Sequence, residues 1–168
     1  MDLGAWADIA EVASTVTIVG GLVFGVVQVR EYRRQRQDAV ASELMRSFYD
    51  SDLSDAVALL QPLPDGLSAV ELRGLEPKYL AAVLKVAMTF ETMGLLVYRR
   101  VAPFDLALDL AGGLVQMLWR KLGRYVNEVR EEQSHPAFAE WFEWFAKVCE
   151  RHKADVEPAY QRGANWNP

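Results

Sequence analysis

Three features of this 168-residue chain predict an all-α protein, in which a long N-terminal transmembrane helix continues into a cytoplasmic four- to five-helix bundle. First, the eighteen residues between Glu11 and Arg30 carry no charge, and Arg30, Arg33, Arg34 and Arg36 follow at once. Second, apolar residues recur downstream at three- and four-residue spacing, in segments that open at Pro77, Pro103 and Pro136. Third, no stretch alternates apolar and polar residues between turn signals, so nothing reads as a half-buried strand.

At 1.5 Å per residue the uncharged run reaches about 27 Å, against roughly 30 Å of bilayer hydrocarbon. Its seven valines, with Ile18, Leu22 and Phe24, contribute roughly −3 to −6 kcal/mol to insertion, partly offset by glycines and hydroxyl residues. Asp2, Asp8 and Glu11 precede the run and the arginines end it. Basic residues stay on the cytoplasmic side, where each gains about 1 kcal/mol from anionic headgroups. A single-pass protein with its N-terminus outside is therefore expected, with Arg30, Arg33, Arg34 and Arg36 at the membrane surface. A cleavable signal peptide would carry its positive charge ahead of the run. Ala13, Thr17, Gly21 and Gly25 recur every four residues, making one narrow face of small side chains by which membrane helices approach closely. That face predicts a homo-oligomer. Membrane lipid and further copies of the chain are the expected partners, with a cytosolic protein as an alternative.

Residues 1–30 are thus expected to form the transmembrane segment and its short outer end, 31–157 the cytoplasmic bundle, and 158–168 a flexible tail. No Pro or Gly occurs from 26 to 61, so one helix is expected from about residue 5 to 48. "DSDLSDAVALLQ" supplies capping residues and an apolar face for a short helix that ends before "PLPDG". A helix from Pro77 to Arg99 follows, with Leu80, Leu84, Met88, Glu91, Leu95 and Tyr98 as its inward stripe. Pro103 opens the next helix, which Gly112–Gly113 is expected to break. The last helix is expected to begin near Pro136, with Phe138, Trp141, Phe145 and Val148 as its stripe. The aromatics of "EWFEWF" surround most of that helix; Trp141 and Phe145 belong to its core stripe, and Phe142 and Trp144 to the core as well or, for one of them, to a contact with a neighbouring subunit.

The formal charge of −5 argues against general nucleic-acid binding, so RNA is not an expected partner. The one cysteine, Cys149, can form no intramolecular disulfide. Glu91 lies on an apolar face and needs compensation there, for which Arg120 or Arg124 is the expected ion-pair partner. Only His135 follows a Glu (Glu132) at the Glu-x-x-His spacing and His152 does not, whereas a di-iron bundle requires two such pairs with further carboxylates. No metal site is expected, and no glycine loop with lysine suggests a phosphate cradle, so no cofactor is expected.

The segment "REEQSH", Arg130 to His135, has the arginine-x4-histidine form and resembles the motif of the HEPN ribonuclease superfamily. That resemblance implies an all-α dimer in which Arg130 orients a phosphate and His135 acts as acid or base on a 2′-hydroxyl. Glu131, next to the arginine, departs from the pattern and would repel phosphate. "FETMGLLVYRRVAP", "LWRKLGRYVNEVR" and "FAEWFEWF" resemble an uncharacterised bacterial family of membrane-anchored helical proteins, over Trp6 to about Val148. The family resemblance implies a bacterial inner-membrane location and brings no activity. The layout is also similar to the membrane-pore accessory proteins of RNA-targeting CRISPR systems, which implies a ring-shaped oligomer acting in antiviral defence. The functional expectation is an oligomeric inner-membrane pore or scaffold. The alternatives are a membrane-tethered ribonuclease or a monomeric anchor for a cytosolic partner.

Overall fold

The computed structural model describes residues 17–32, 35, 39, 43, 46, 51–154 and 157–165, and among them no strand occurs. The chain divides into two units, Met1–Ala39 and Val40–Pro168. In the first, residues 17–32 form a helix, α1, and Gln35 and Ala39 are also helical, as are Glu43 and Arg46 in the second. Every residue of α1 is exposed, and this holds on all sides of the helix: Leu22 is 67% and Phe24 64% exposed.

The second unit is a bundle of α2 (Ser51–Leu60), α3 (Ala69–Arg73), α4 (Pro77–Tyr98), α5 (Phe104–Glu132) and α6 (Glu140–Ala154), with a single turn, α7 (Ala159–Arg162), in the expected tail. Leu53, Ala56 and Leu60 bury one stripe of α2. The turn after it is tied to α5: Gly66, at φ +74, and Leu67 donate their N–H groups to the carbonyls of Arg120 and Lys121 at 2.9 and 3.1 Å. Lys121 is itself buried; its ammonium donates to the Leu63 carbonyl and meets Asp65 at 3.4 Å. A capping box starts α3, with the Ser68 hydroxyl accepting from Glu71 N–H and the Glu71 carboxylate accepting from Ser68 N–H.

The core face of α4 differs from the stripe expected from sequence. Ala82, Val83, Val86, Ala87, Phe90, Met93, Gly94 and Val97 are buried, whereas Leu84, Met88 and Tyr98 are exposed and Leu80, Glu91 and Leu95 only half-buried. The helix is apolar nearly all round, so periodicity alone selects no face. The face of small and β-branched residues is the one that allows neighbours close. At Gly94 an added Cβ would lie 2.2 Å from the Trp141 carbonyl oxygen, so α4 and α6 meet backbone to backbone.

Nor does Gly112–Gly113 interrupt α5, which runs 29 residues with Gly112 buried. Each glycine costs about 1 kcal/mol in a helix, and a buried Leu or Val contributes about 1.5–3; Val115, Leu118 and Leu122, all fully buried, outweigh the pair. Both long helices end in a Schellman motif built on a non-glycine residue. Arg100 at φ 56 closes α4, with Arg100 N–H to Val97 O and Val101 N–H to Leu96 O, both 2.9 Å. Ser134 at φ 51 closes α5, with Ser134 N–H to Glu131 O and His135 N–H to Arg130 O at 3.3 and 3.0 Å.

The last helix starts at Glu140 rather than near Pro136. Phe142, Phe145, Ala146, Val148 and Cys149 are its buried residues. Phe142 is in the core rather than turned to a neighbouring subunit: it sits between α4 and α5, with ring centroids 5.4 Å from Phe90 and 5.2 Å from Trp119. Trp141 and Trp144 are half-buried and pack on Tyr98 at 4.5 and 5.5 Å. Gly94→Ala is expected to destabilise the bundle by about 3 kcal/mol or more, because backbone rather than a movable side chain blocks the methyl. Chemical denaturation of the two chains measures it.

Candidate functional site

A polar cluster lies where α4, α5 and α6 meet at the start of α6. Ala139, which precedes α6, lies at φ 54 and has no side chain that could cap the helix. The cap comes from another helix instead. Glu91 Oε2 on α4 accepts the N–H groups of Trp141 and Phe142, both at 2.9 Å. These are two of the N–H groups that a helix start leaves without an internal partner. Burial pushes the Glu91 carboxyl above its ordinary value, and the two N–H bonds oppose that rise.

The expected ion pairs of Glu91 with Arg120 or Arg124 do not form. Arg120 reaches Asp65 at 3.7 Å, and Arg124 reaches Glu128 at 2.8 Å. Backbone N–H groups at a helix start compensate the charge without a buried guanidinium. Glu128 also accepts from Ala69 N–H at 2.6 Å, which holds its carboxyl below the usual range, and Arg73 clamps Glu132 at 2.5 Å, so α3 is fixed to α5 at both ends.

Arg130 ties α5 to α6. Its Nε donates to the Phe138 carbonyl at 2.8 Å, and one terminal nitrogen reaches Glu143 at 2.6 Å and Asn127 at 3.1 Å. Burial alone would raise the Glu143 carboxyl, but hydrogen bonds from Lys147 and Arg130 hold it below its ordinary range. The Arg130 side chain is 15% exposed. His135 is exposed, and the spacing that links it to Arg130 is that of the backbone bond closing α5. Arg73, Arg120, Arg124 and Arg130 each meet a carboxylate within the fold.

Thr17, Gly21, Gly25 and Arg30 lie on α1, all exposed, and a Cβ added at Gly21 or Gly25 would meet nothing within 4 Å. Ala13, Arg33, Arg34 and Arg36 lie outside the described residues. An open groove of about 260 Å³ between α2 and α5 is lined by Leu53, Ser54, Val57, Ala58, Gln61 and Leu114, none of them ionisable. Among the described residues no group of three His, Cys, Asp or Glu side chains could hold a metal ion.

One described helix, α4, is long and apolar enough to cross a membrane, and it lies mid-chain. Its contacts identify it as the central helix of the bundle: Val83, Val86 and Phe90 are fully buried, and it packs on α2, α3, α5 and α6.

Two predictions test the polar cluster. Glu91→Ala leaves two helix-start N–H groups without their acceptor and should lower stability by about 1–3 kcal/mol; Glu91→Gln keeps an acceptor and should cost little. Because the folded carboxyl titrates above the unfolded one, near 4.5, the folded state binds more protons between the two values. Stability attributable to Glu91 is therefore greatest below pH 4.5 and declines as pH rises through the folded value. Melting curves of Glu91→Gln across that window should lack this decline. Separately, Arg130→Ala should cost about 2–3 kcal/mol through its lost bonds to Phe138 and Glu143, while His135→Ala should shift stability by no more than about 0.5 kcal/mol. Equal losses in thermal melts would contradict the division of roles drawn here.

No curated protein and no solved structure matches the chain. A domain of unknown function, DUF4760, matches residues 13–149. That match takes in α1 to α5 and all the described buried positions of α6, and on it the chain belongs to the DUF4760 family.

Proposed function

We propose that the chain is a single-span bacterial inner-membrane scaffold: α1 crosses the bilayer, the bundle lies in the cytoplasm, and copies associate through the small face of Ala13, Thr17, Gly21 and Gly25. The observation that carries this reading is that α1 exposes valine, leucine, isoleucine and phenylalanine side chains all round its circumference. In water such side chains forgo roughly 1.5–3 kcal/mol each, whereas hydrocarbon accommodates them. The bundle completes its own core from residues beyond α1. The open space around Gly21 and Gly25 supports association, since nothing among the described residues requires glycine there.

Scaffolding is favoured over conduction on the chemistry of the span. A water-filled pore needs a polar lining, and between Glu11 and Arg30 the only polar side chains are Ser14, Thr15, Thr17 and Gln28. A ribonuclease is disfavoured because the Arg130 donors are engaged by Phe138, Asn127 and Glu143.

The full chain is expected to sediment with membranes after alkaline carbonate washing and to need detergent for release. Gly21→Ile with Gly25→Ile should convert the wild-type oligomer to smaller species in a mass measurement in detergent. A chain that stays in the supernatant of lysed cells would remove the span, and an oligomer unmoved by the double substitution would remove the glycine face.

A further inference from the structure

The cations of the bundle are distributed unevenly. Every described lysine and arginine from Arg73 to Arg151 meets a carboxylate within 3.9 Å except Arg99, Arg100 and Arg151, which are exposed and meet none among the described residues. These three lie at one end of the bundle. Arg99 and Arg100 close α4, and Arg100 holds the left-handed position at which the chain turns toward α5. The His152 ring lies 4.7 Å from Phe104, the first residue of α5, so the last turns of α6, Arg151 included, sit beside the same corner. Apolar and aromatic side chains accompany the charge: Tyr98 is 53% and Val101 37% exposed, and half-buried Trp144 packs on Tyr98 at 5.5 Å. The nearby carboxylates occupy other sides. Asp105 and Asp109 stand on the side of α5 opposite its buried Ala107 and Ala111. Glu143 and Glu150 fall about 100° round α6 from Trp144 and Arg151, on the side where Glu143 meets Arg130.

We infer that this corner, Tyr98 to Val101 with Trp144 and Arg151 beside it, docks on an anionic phospholipid surface; the inference rests on the membrane location proposed above and adds to it a contact made by the bundle. A guanidinium without an internal carboxylate is open to a lipid phosphate, which it grips by two parallel N–H bonds. The cytoplasmic leaflet is anionic and attracts basic groups held at its surface. Tyrosine and tryptophan settle at headgroup depth, where one end of the ring is apolar and the other wet. Val101 supplies a side chain for the acyl boundary. An RNA suits the corner less well. Bases stack on open ring faces, whereas Tyr98, Trp141 and Trp144 lie against one another with centroids 4.5 to 6.1 Å apart. The chain's charge of −5 also repels a long polyanion.

The full chain reconstituted in lipid nanodiscs tests it, with a fluorescent label on Val101→Cys and brominated acyl chains as quencher. Val70→Cys is the reference position, 76% exposed on α3, which is held to the far end of α5. A chain with neither substitution reports any labelling of buried Cys149. In discs containing phosphatidylglycerol the Val101 label should be quenched and the Val70 label not; in phosphatidylcholine alone neither should be. Arg99→Gln with Arg100→Gln should lower the ratio of docked to undocked bundle about five-fold per arginine, and lysine at both positions should retain most of it. All substituted positions are exposed, and circular dichroism melts confirm that each variant folds. A chain that enters the discs but leaves the Val101 label no more quenched than the Val70 label overturns the docking and leaves the span standing. A chain that fails to enter them removes the span; it still supports the corner if it floats with anionic but not neutral vesicles, and overturns it otherwise. A Val101→Cys label that answers to single-stranded RNA, or a Val101→Cys thiol that cross-links to a second chain, in place of lipid quenching also overturns the docking and assigns the corner to that partner.

Discussion

The seating of α6 on α4 depends on the Glu91 carboxylate reaching two backbone N–H groups at the start of α6, and the interior of the bundle follows from that seating. The carboxylate and Gly94 lie one turn apart on α4 and act on the same partner. Glycine lets the α6 backbone come within contact of α4, and Glu91 holds it there by hydrogen bonds to Trp141 and Phe142. With the start of α6 so placed, Phe142 enters between Phe90 and Trp119. Phe145 and Cys149 follow at helical spacing onto the remaining apolar surface. A buried carboxylate is unfavourable in isolation. Here it is tolerated because the helix end it meets would otherwise be equally unsatisfied.

The remaining polar ties do the same work at other ends. Ser68 and Glu128 complete the start of α3, Arg73 reaches Glu132 near its finish, and Arg130 joins the last turn of α5 to the residues leading into α6. Lys121 holds the Pro62–Gly66 turn to α5 with its stem buried along the apolar surface. None of these groups is left over for chemistry on a substrate. These charges of the bundle hold its shape. The N-terminal unit differs: the described apolar residues of α1 are all exposed.

Much of the helix order was legible because its punctuation is local. Pro77 and Pro103 mark starts by removing an N–H that a first turn does not need, and "PLPDG" marks the turn after α2. The inward face of α4 was not legible, since leucine and methionine outrank alanine and glycine on any hydrophobicity scale, and only the closeness of α6 makes the smaller residues the buried ones. The continuity of α5 through Gly112–Gly113 was hidden for a related reason: long-range packing overrides a local preference. The partner of Glu91 lies fifty residues along the chain and is backbone, which no pattern of charged residues can reveal. Arg130 and His135 were singled out by spacing, and that spacing marks the turn closing α5. A signal was present in the two residues following it, Ser134 and His135, where a helix ending was readable from "QSHP".

Cys149 has a practical consequence for a protein of this kind. It is the only thiol in the chain and it is fully enclosed by the α4–α5–α6 interior. A reagent that alkylates sulfur can reach it only during excursions that part those helices. The speed of alkylation is therefore a clock for breathing motions, readable on the intact protein without any optical signal from unfolding.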